Sequence, residues 1–243
     1  MKKGIVLLVL ALVVTGCNKE KKVSLSSDEL KTFYTVGHTL GERLKNLELS
    51  ETEVTAVSMG LRDAATNKKP QVKTEEFRLQ IQKLFQDRVA KSAAKQKNEG
   101  KSFLEKFAKE KGVVKTDSGL TYKVLSEGKG EFPKETDEVE VHYHGTLIDG
   151  TVFDSSKERG KPVTFPLNRV IKGWTEGVQK IKEGGKIKLV IPPELAYGDQ
   201  GAPPKIAGGS TLVFEVELLS IVKPGAKKET TAAPKPKVAP KKK

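Results

Sequence analysis

Cysteine is nearly missing from this 243-residue chain: Cys17 is the only one, so no intramolecular disulfide can brace any part of it. Histidine is almost as scarce, with three in the chain. His142 and His144 share one face of a strand pattern, but with no third ligand beside them they read as surface or rim side chains rather than a zinc cage. Long apolar runs are missing too. The run from Ile5 to Val14 follows Lys2 and Lys3 and is too short to span a bilayer as a stable helix, which gives it the form of an export signal. A hydrophobic fraction of 36% against 31% charged residues places the remainder among soluble chains.

What is abundant is positive charge, a net +13, unevenly spread. Eight lysines against one glutamate between Lys223 and Lys243 make +7 of it. That tail of Lys, Pro, Ala and Thr has almost no bulky apolar residue, so it cannot bury enough surface to offset the entropy of ordering and is read as disordered. Two uses fit it, a solvating tail or attraction to anionic envelope polymers and lipid head groups. Nucleic acid is set aside as a partner because an exported chain rarely meets any.

The export signal ends in Val14-Thr15-Gly16-Cys17, which resembles a bacterial lipobox, with Cys17 as the lipid acceptor; the competing reading is an ordinary secretory signal. Two or more acyl chains on Cys17 would anchor the chain stably, whereas one gives marginal binding. Asn18, rather than Asp, follows the cysteine, and by resemblance to the enterobacterial sorting pattern this points to the outer membrane.

Helical periodicity comes next. Leu30, Phe33, Gly37, Leu40, Leu44 and Leu47 recur at spacings of three and four, a stripe suited to packing on another helix. Ser50 with Glu53 has the form of a capping box, and Val54, Val57 and Leu61 carry a second helix to about Ala65. A third runs from Thr74 to about Lys111, roughly 55 Å, with Phe77, Ile81, Leu84 and Phe85 facing inward at its start. Its middle, Lys91 to Ser102, is polar apart from alanines, as in a helix bridging domains through solvent, and Gly100 is its expected weak point; Phe103, Leu104 and Phe107 restore an apolar face. Three such helices make a poor core alone, so either a second copy covers the stripe or the three cap one another.

From Ser118 the period changes to two. Gly119 to Leu125, Val139 to Tyr143, Lys186 to Ile191 and Thr211 to Val222 read as strands, Asp149-Gly150 as a turn, and Trp174 to Lys182 as one short helix. An antiparallel sheet over one helix is an α+β solution.

Within this region stand five blocks in order: His142-Tyr143-His144-Gly145, Phe153-Asp154-Ser155-Ser156, Val170-Ile171-Lys172-Gly173-Trp174, Ile191-Pro192-Pro193 with Ala196-Tyr197-Gly198, and Leu212-Val213-Phe214-Glu215. Together they resemble the FKBP-type peptidyl-prolyl cis/trans isomerases, and the helical segment with the lipobox resembles the arrangement of the Mip-like lipoprotein subfamily, a homodimer joined through its helices. The resemblance implies a pocket of Tyr143, Phe153, Asp154, Val170, Ile171, Trp174, Tyr197 and Phe214. Trp174 would be the floor, Phe153 and Phe214 walls, Ile171 N–H and the Tyr197 hydroxyl donors to substrate carbonyls, and Asp154 a polar, positional group paired with Arg159; Ile206 would sit in the loop over the site. Val163 stands where many relatives carry a second pocket phenylalanine, and the loop from Asp199 to Gly209 departs from the family at Ala202 and Gly209.

The implied partners are X-Pro segments of unfolded or maturing envelope proteins, with macrolides as inhibitors; no metal or organic cofactor is called for. The implied division is a lipoprotein signal peptide over 1–16, a tether over 17–27, a helical dimerisation domain over 28–73, a linker helix over 74–112, the isomerase domain over 113–222 and the tail over 223–243. Such an enzyme needs no nucleophile. The X-Pro barrier comes from amide resonance, and holding the proline in an apolar pocket while favouring the twisted amide lowers it. Two other functions compete: a chaperone that uses the pocket only for grip, and a tethered scaffold held to the wall by its basic tail.

Overall fold

The computed structural model describes residues 23–222; the export signal, Cys17 and the basic tail lie outside the described residues. The chain divides into two compact units, at Gly41. The first contains most of α1, Asp28–Glu42, whose acidic first turn (Asp28, Glu29) suits a helix N-terminus. No residue of α1 is buried, and Phe33 and Tyr34 are 65% and 58% exposed. The leucine stripe is therefore split: α1 ends at Glu42, and Leu44 and Leu47 belong to a separate 3-10 turn, Lys45–Leu47, and its cap.

The second unit begins with that turn. α2 spans Glu51–Ala65 and opens on the expected capping box, in which Ser50 Oγ accepts from Glu53 N and the Glu53 carboxylate accepts from Ser50 N. α3 spans Arg78–Phe107, preceded by a 3-10 turn at Thr74–Phe77, so it is about 45 Å long and shorter than expected. Arg88 on α3 donates to the carbonyls of Leu47 (3.1 Å) and Glu48 (3.2 Å) and pairs with Glu53, which pins the 3-10 turn and the start of α2 to α3. Phe77, Ile81, Leu84 and Phe85 do not face inward; all four are exposed, as are Val54, Val57 and Leu61 of α2.

The rest is a seven-stranded antiparallel sheet, ordered β1-β2-β6-β7-β3-β4 with β5 also on β3. Its strands are β1 (Val113–Lys115), β2 (Thr121–Ser126), β3 (Glu138–Leu147), β4 (Val152–Ser155), β5 (Val163–Pro166), β6 (Lys186–Ile191) and β7 (Leu212–Val222). The three short strands β1, β4 and β5 gave no period of their own, being three or four residues long and defined by their partners. One face closes on α4, Lys172–Val178, which is shorter than expected because it ends in a turn that still buries Ile181 completely. Around it lie Leu120, Val139, Val141, Ile187, Leu189, Ile191, Leu212 and Leu218, none of them exposed.

On the other face, Phe107 of α3 packs on Val190 of β6 and Val213 of β7, with Phe103 and Leu104 beside them. The middle of α3 is not a solvent bridge. Ser92, Ala93 and Gly100 are buried, and a Cβ at Gly100 would collide with the Thr211 side chain. Gly100 is thus a close-contact residue rather than a weak point.

The fully buried Leu189, central in the sheet, sets an expected magnitude: Leu189→Ala lowers the unfolding free energy by about 2–5 kcal/mol, read by urea denaturation on the fluorescence of Trp174.

Candidate active site

Between α4, the inner face of the sheet and the loop after Tyr197 lies an open cavity of about 790 Å³. Its lining includes Tyr143, Phe153, Asp154, Val170, Ile171, Trp174, Tyr197, Ile206 and Phe214, nine of the ten pocket residues named from sequence. The tenth, Arg159, reaches the cavity through its partners instead. Tyr143 comes from the middle of β3, Phe153 and Asp154 from β4, Trp174 from the first turn of α4, and Phe214 from β7, so four elements converge.

The apolar part is a set of rings meeting edge to face. Trp174 stands at 83° to Tyr143, 87° to Phe165 and 82° to Phe214, with centroids 5.3, 5.8 and 5.2 Å away. Phe153 meets Phe214 at 84° and 5.3 Å. In such geometry each positive ring edge lies on a negative ring face, so the walls hold one another in place beyond simple burial. Gly145 on β3 makes room for two of them: a Cβ there would lie 2.8 Å from ring atoms of both Phe153 and Phe214.

The polar part is a closed ring of three groups. Tyr143 Oη donates to Asp154 Oδ2, Arg159 Nη1 donates to Asp154 Oδ1, and Arg159 Nη2 donates to Tyr143 Oη at 2.8 Å. The guanidinium also lies over the Tyr143 ring, 5.6 Å from its centroid. The turn carrying Arg159 is tied to β3, because Ser156 N donates to the Tyr143 carbonyl (3.0 Å) while Ser156 Oγ accepts from Tyr143 N (2.8 Å).

Burial by itself raises the Asp154 carboxyl, but the hydrogen bonds from Tyr143 and Arg159 and the Arg159 charge outweigh it and hold the group below the usual carboxylate range. For Tyr143, burial is the largest effect and pushes the phenol up; the bond to Asp154 adds to this, and Arg159 opposes it. At neutral pH the ring is therefore a carboxylate, a phenol and a guanidinium.

Two further groups face the cavity with hydrogen-bonding capacity to spare. The Ile171 carbonyl accepts the first helical bonds of α4 from Trp174 N (2.9 Å) and Thr175 N (3.1 Å), while its own N–H has no acceptor among the described residues. The Tyr197 ring is 42% exposed at the rim.

Phe165 was missed from sequence. Val163 packs on the core without lining the cavity, and the aromatic wall comes from two positions on. Strand alternation carried that signal, since residues two apart share a face. The loop residues Pro203, Pro204 and Lys205 and the neighbouring Arg169 also line the cavity and were not named. His142 Nδ1 lies 3.1 Å from Ser156 Oγ and His144 Nδ1 3.0 Å from Ser155 Oγ, in the turn after β4 and at its end. Among the described residues no cluster of His, Cys, Asp and Glu could hold a metal, and no helix is long and apolar enough to cross a membrane.

Comparison with known proteins agrees with this geometry. Residues 129–219 match the FKBP-type peptidyl-prolyl cis-trans isomerase model, residues 29–124 the domain amino-terminal to such isomerases, and residues 1–18 the prokaryotic membrane lipoprotein lipid attachment site. The Escherichia coli K12 isomerase FkpA is 45% identical over 221 residues, covering 86% of this chain and 81% of FkpA. The Coxiella burnetii isomerase Mip is 36% identical over 218 residues, covering 87% and 94%. The crystal structure of E. coli FkpA superposes with a TM-score of 0.62 at 44% identity, over 82% of this chain and 98% of that one. Relatives this similar, matched over both the helical segment and the sheet, show that this chain belongs to the FKBP-type peptidyl-prolyl cis-trans isomerases.

Proposed function

We propose that this isomerase works in the bacterial cell envelope, lipid-anchored through Cys17, where it accelerates the folding of exported proteins by enclosing X-Pro segments in the cavity around Trp174. The observation that carries the mechanism is the pairing of an apolar aromatic box with a polar ring at its rim. A proline over Trp174, walled by Tyr143, Phe153, Phe165 and Phe214, leaves water behind. Water hydrogen bonds stabilise the planar amide, whose resonance makes the barrier of about 18–20 kcal/mol, so removing them favours rotation.

Polar groups then act where the twisted amide differs from the planar one. The free N–H of Ile171 donates to the carbonyl on the far side of the proline, while the Tyr197 hydroxyl grips a peptide carbonyl at the rim, away from the rotating bond, in the planar and twisted forms alike. Asp154, fixed by Tyr143 and Arg159, presents a negative edge beside the rotating carbonyl carbon. Its lowered pKa argues against a general base, which works best with a pKa near the operating pH. Macrolides that mimic a twisted amide would compete for the same box.

The exposed apolar residues of the helical segment support a homodimer. Phe33, Tyr34 and Val36 on α1, and Leu79 and Ile81 on α3, are each more than half exposed, an amount a second copy would cover. A dimer of such helices would also serve a chaperone role, in which unfolded chains are gripped by apolar surface that remains exposed while prolines isomerise. The outer membrane facing the periplasm or surface is the proposed site, and the basic tail is proposed to contact anionic envelope polymers.

Three results are expected. In an isomerisation assay on a short Xaa-Pro peptide, Asp154→Ala lowers kcat/KM by about tenfold or more. The wild-type value is flat through neutrality and falls only in acid beneath the ordinary carboxylate range, where Asp154 takes up a proton; a fall beginning near pH 6 would count against the role given to Asp154. The native chain sediments as a dimer at micromolar concentration, and Phe33→Asp with Leu40→Asp gives a monomer that keeps its activity on the short peptide.

A further inference from the structure

The loop that roofs the cavity is poorly equipped to hold itself. Between Gly198 and Gly209 it has four glycines and two prolines. Glycine loses more conformational freedom on ordering than any other residue, so such a loop has many accessible shapes. Its internal bonds are few: Ala202 and Ile206 exchange a pair (2.8 and 3.1 Å), Gly201 N donates to Tyr197 O (3.1 Å), and Gly209 N donates to Gly198 O (2.9 Å). Lys205 Nζ reaches the Phe153 carbonyl at 2.9 Å. Yet the loop presents Ala202, Pro203, Pro204, Lys205 and Ile206 to the cavity, and Tyr197 stands at its entry.

Its base rests on α3. Gly209 has φ +73°, a left-handed backbone that other residues rarely adopt, and a Cβ there would collide with the Ala93 carbonyl. At Gly208, the position a Cβ would take lies 3.5 Å from the Ala93 methyl, and Ala93 itself is 6% exposed. One turn on, Lys97 pairs with Asp199 at the start of the loop. One further turn on, Gly100 abuts Thr211 where the loop enters β7; a Cβ at Gly100 would lie 2.9 Å from Thr211 Cβ and overlap its hydroxyl. Ala93, Lys97 and Gly100 are three and four apart, so one face of α3 meets both ends of the loop.

We infer that α3 is a positioning element of the isomerase site, holding through Ala93, Lys97 and Gly100 the roof loop that sets Tyr197 and Ile206 against the substrate. Tyr197 and Ile206 touch the substrate; the α3 residues act through them. This inference rests on the proline-pocket reading above. The aromatic box and the Tyr143–Asp154–Arg159 ring sit on the sheet, on α4 and on the turn after β4, so moving α3 leaves them in place. Loss of the brace removes contacts made equally to ground and transition states, which appears in KM and not in kcat.

The test uses the full chain. Gly100→Leu wedges α3 off Thr211 and is expected to raise KM for a Xaa-Pro peptide on the order of five- to tenfold, with kcat changed by less than about twofold. Ala94→Leu, on the exposed side of the same helix, is expected to behave as the wild type. A second pair covers the case in which Gly100→Leu fails to fold. Lys97→Asp, which sets a second carboxylate against Asp199, is expected to raise KM by about threefold, and the swap Lys97→Asp with Asp199→Lys to restore it. Wild-type KM in Gly100→Leu, or in Lys97→Asp when the first does not fold, overturns the inference, as does a fall in kcat with KM unchanged. An inactive wild-type chain would instead sink the proline-pocket reading.

Discussion

Trp174 meets three rings edge to face, those of Tyr143, Phe165 and Phe214, and the shape of the cavity depends on this contact set. The indole lies in the first turn of α4, and its buried N–H has no hydrogen-bond partner among the described residues. An unpaired buried donor is costly, of order 1–3 kcal/mol, and persists where the surroundings over-determine the position. Here the determinants are the surrounding rings and the sheet that closes on α4. A floor held so firmly can be apolar and still present one fixed surface to a proline ring.

The polar ring at the rim works by the same logic in reverse. Asp154 would titrate upward if burial alone acted; Tyr143 and Arg159 keep it charged and in one orientation. Tyr143 joins the two systems, since its ring faces Trp174 while its hydroxyl closes the hydrogen-bond ring. A single residue on β3 thus ties the apolar wall to the charged edge, and the Ser156 bonds to its backbone fix the turn from which Arg159 reaches in. On the proposed mechanism, catalysis is the placement of water-free surface beside fixed charge, with no proton moved.

How much of this could be read from the chain alone differed by element. Eight of the residues that line the cavity were legible because they fall in short blocks whose order survives folding, Ile206 as an apolar residue of the loop over the site, and Arg159 as the partner of Asp154. Phe165 was not, because the family's phenylalanine position is held by Val163, and the ring that walls the cavity comes from two residues on, on the same face of the strand. The seat of α3 was illegible for a different reason. Ser92, Ala93 and Gly100 look featureless on a hydropathy scale, and what they supply is the absence of bulk, which has meaning only once Thr211 and Gly209 stand opposite. The inward placement of Phe77, Ile81, Leu84 and Phe85 failed because periodicity reports an apolar face and not what covers it.

The central claim, that enclosure and fixed charge rather than proton transfer lower the barrier, is tested most directly by the solvent isotope effect on kcat/KM for a Xaa-Pro peptide. With no proton in flight, the ratio of rates in ordinary and heavy water should lie near unity, within about 20–30%, across neutral pH. A normal effect of about twofold or more, abolished in Asp154→Asn, would mean that Asp154 moves a proton in the rate-limiting step, and the proposed mechanism would be wrong.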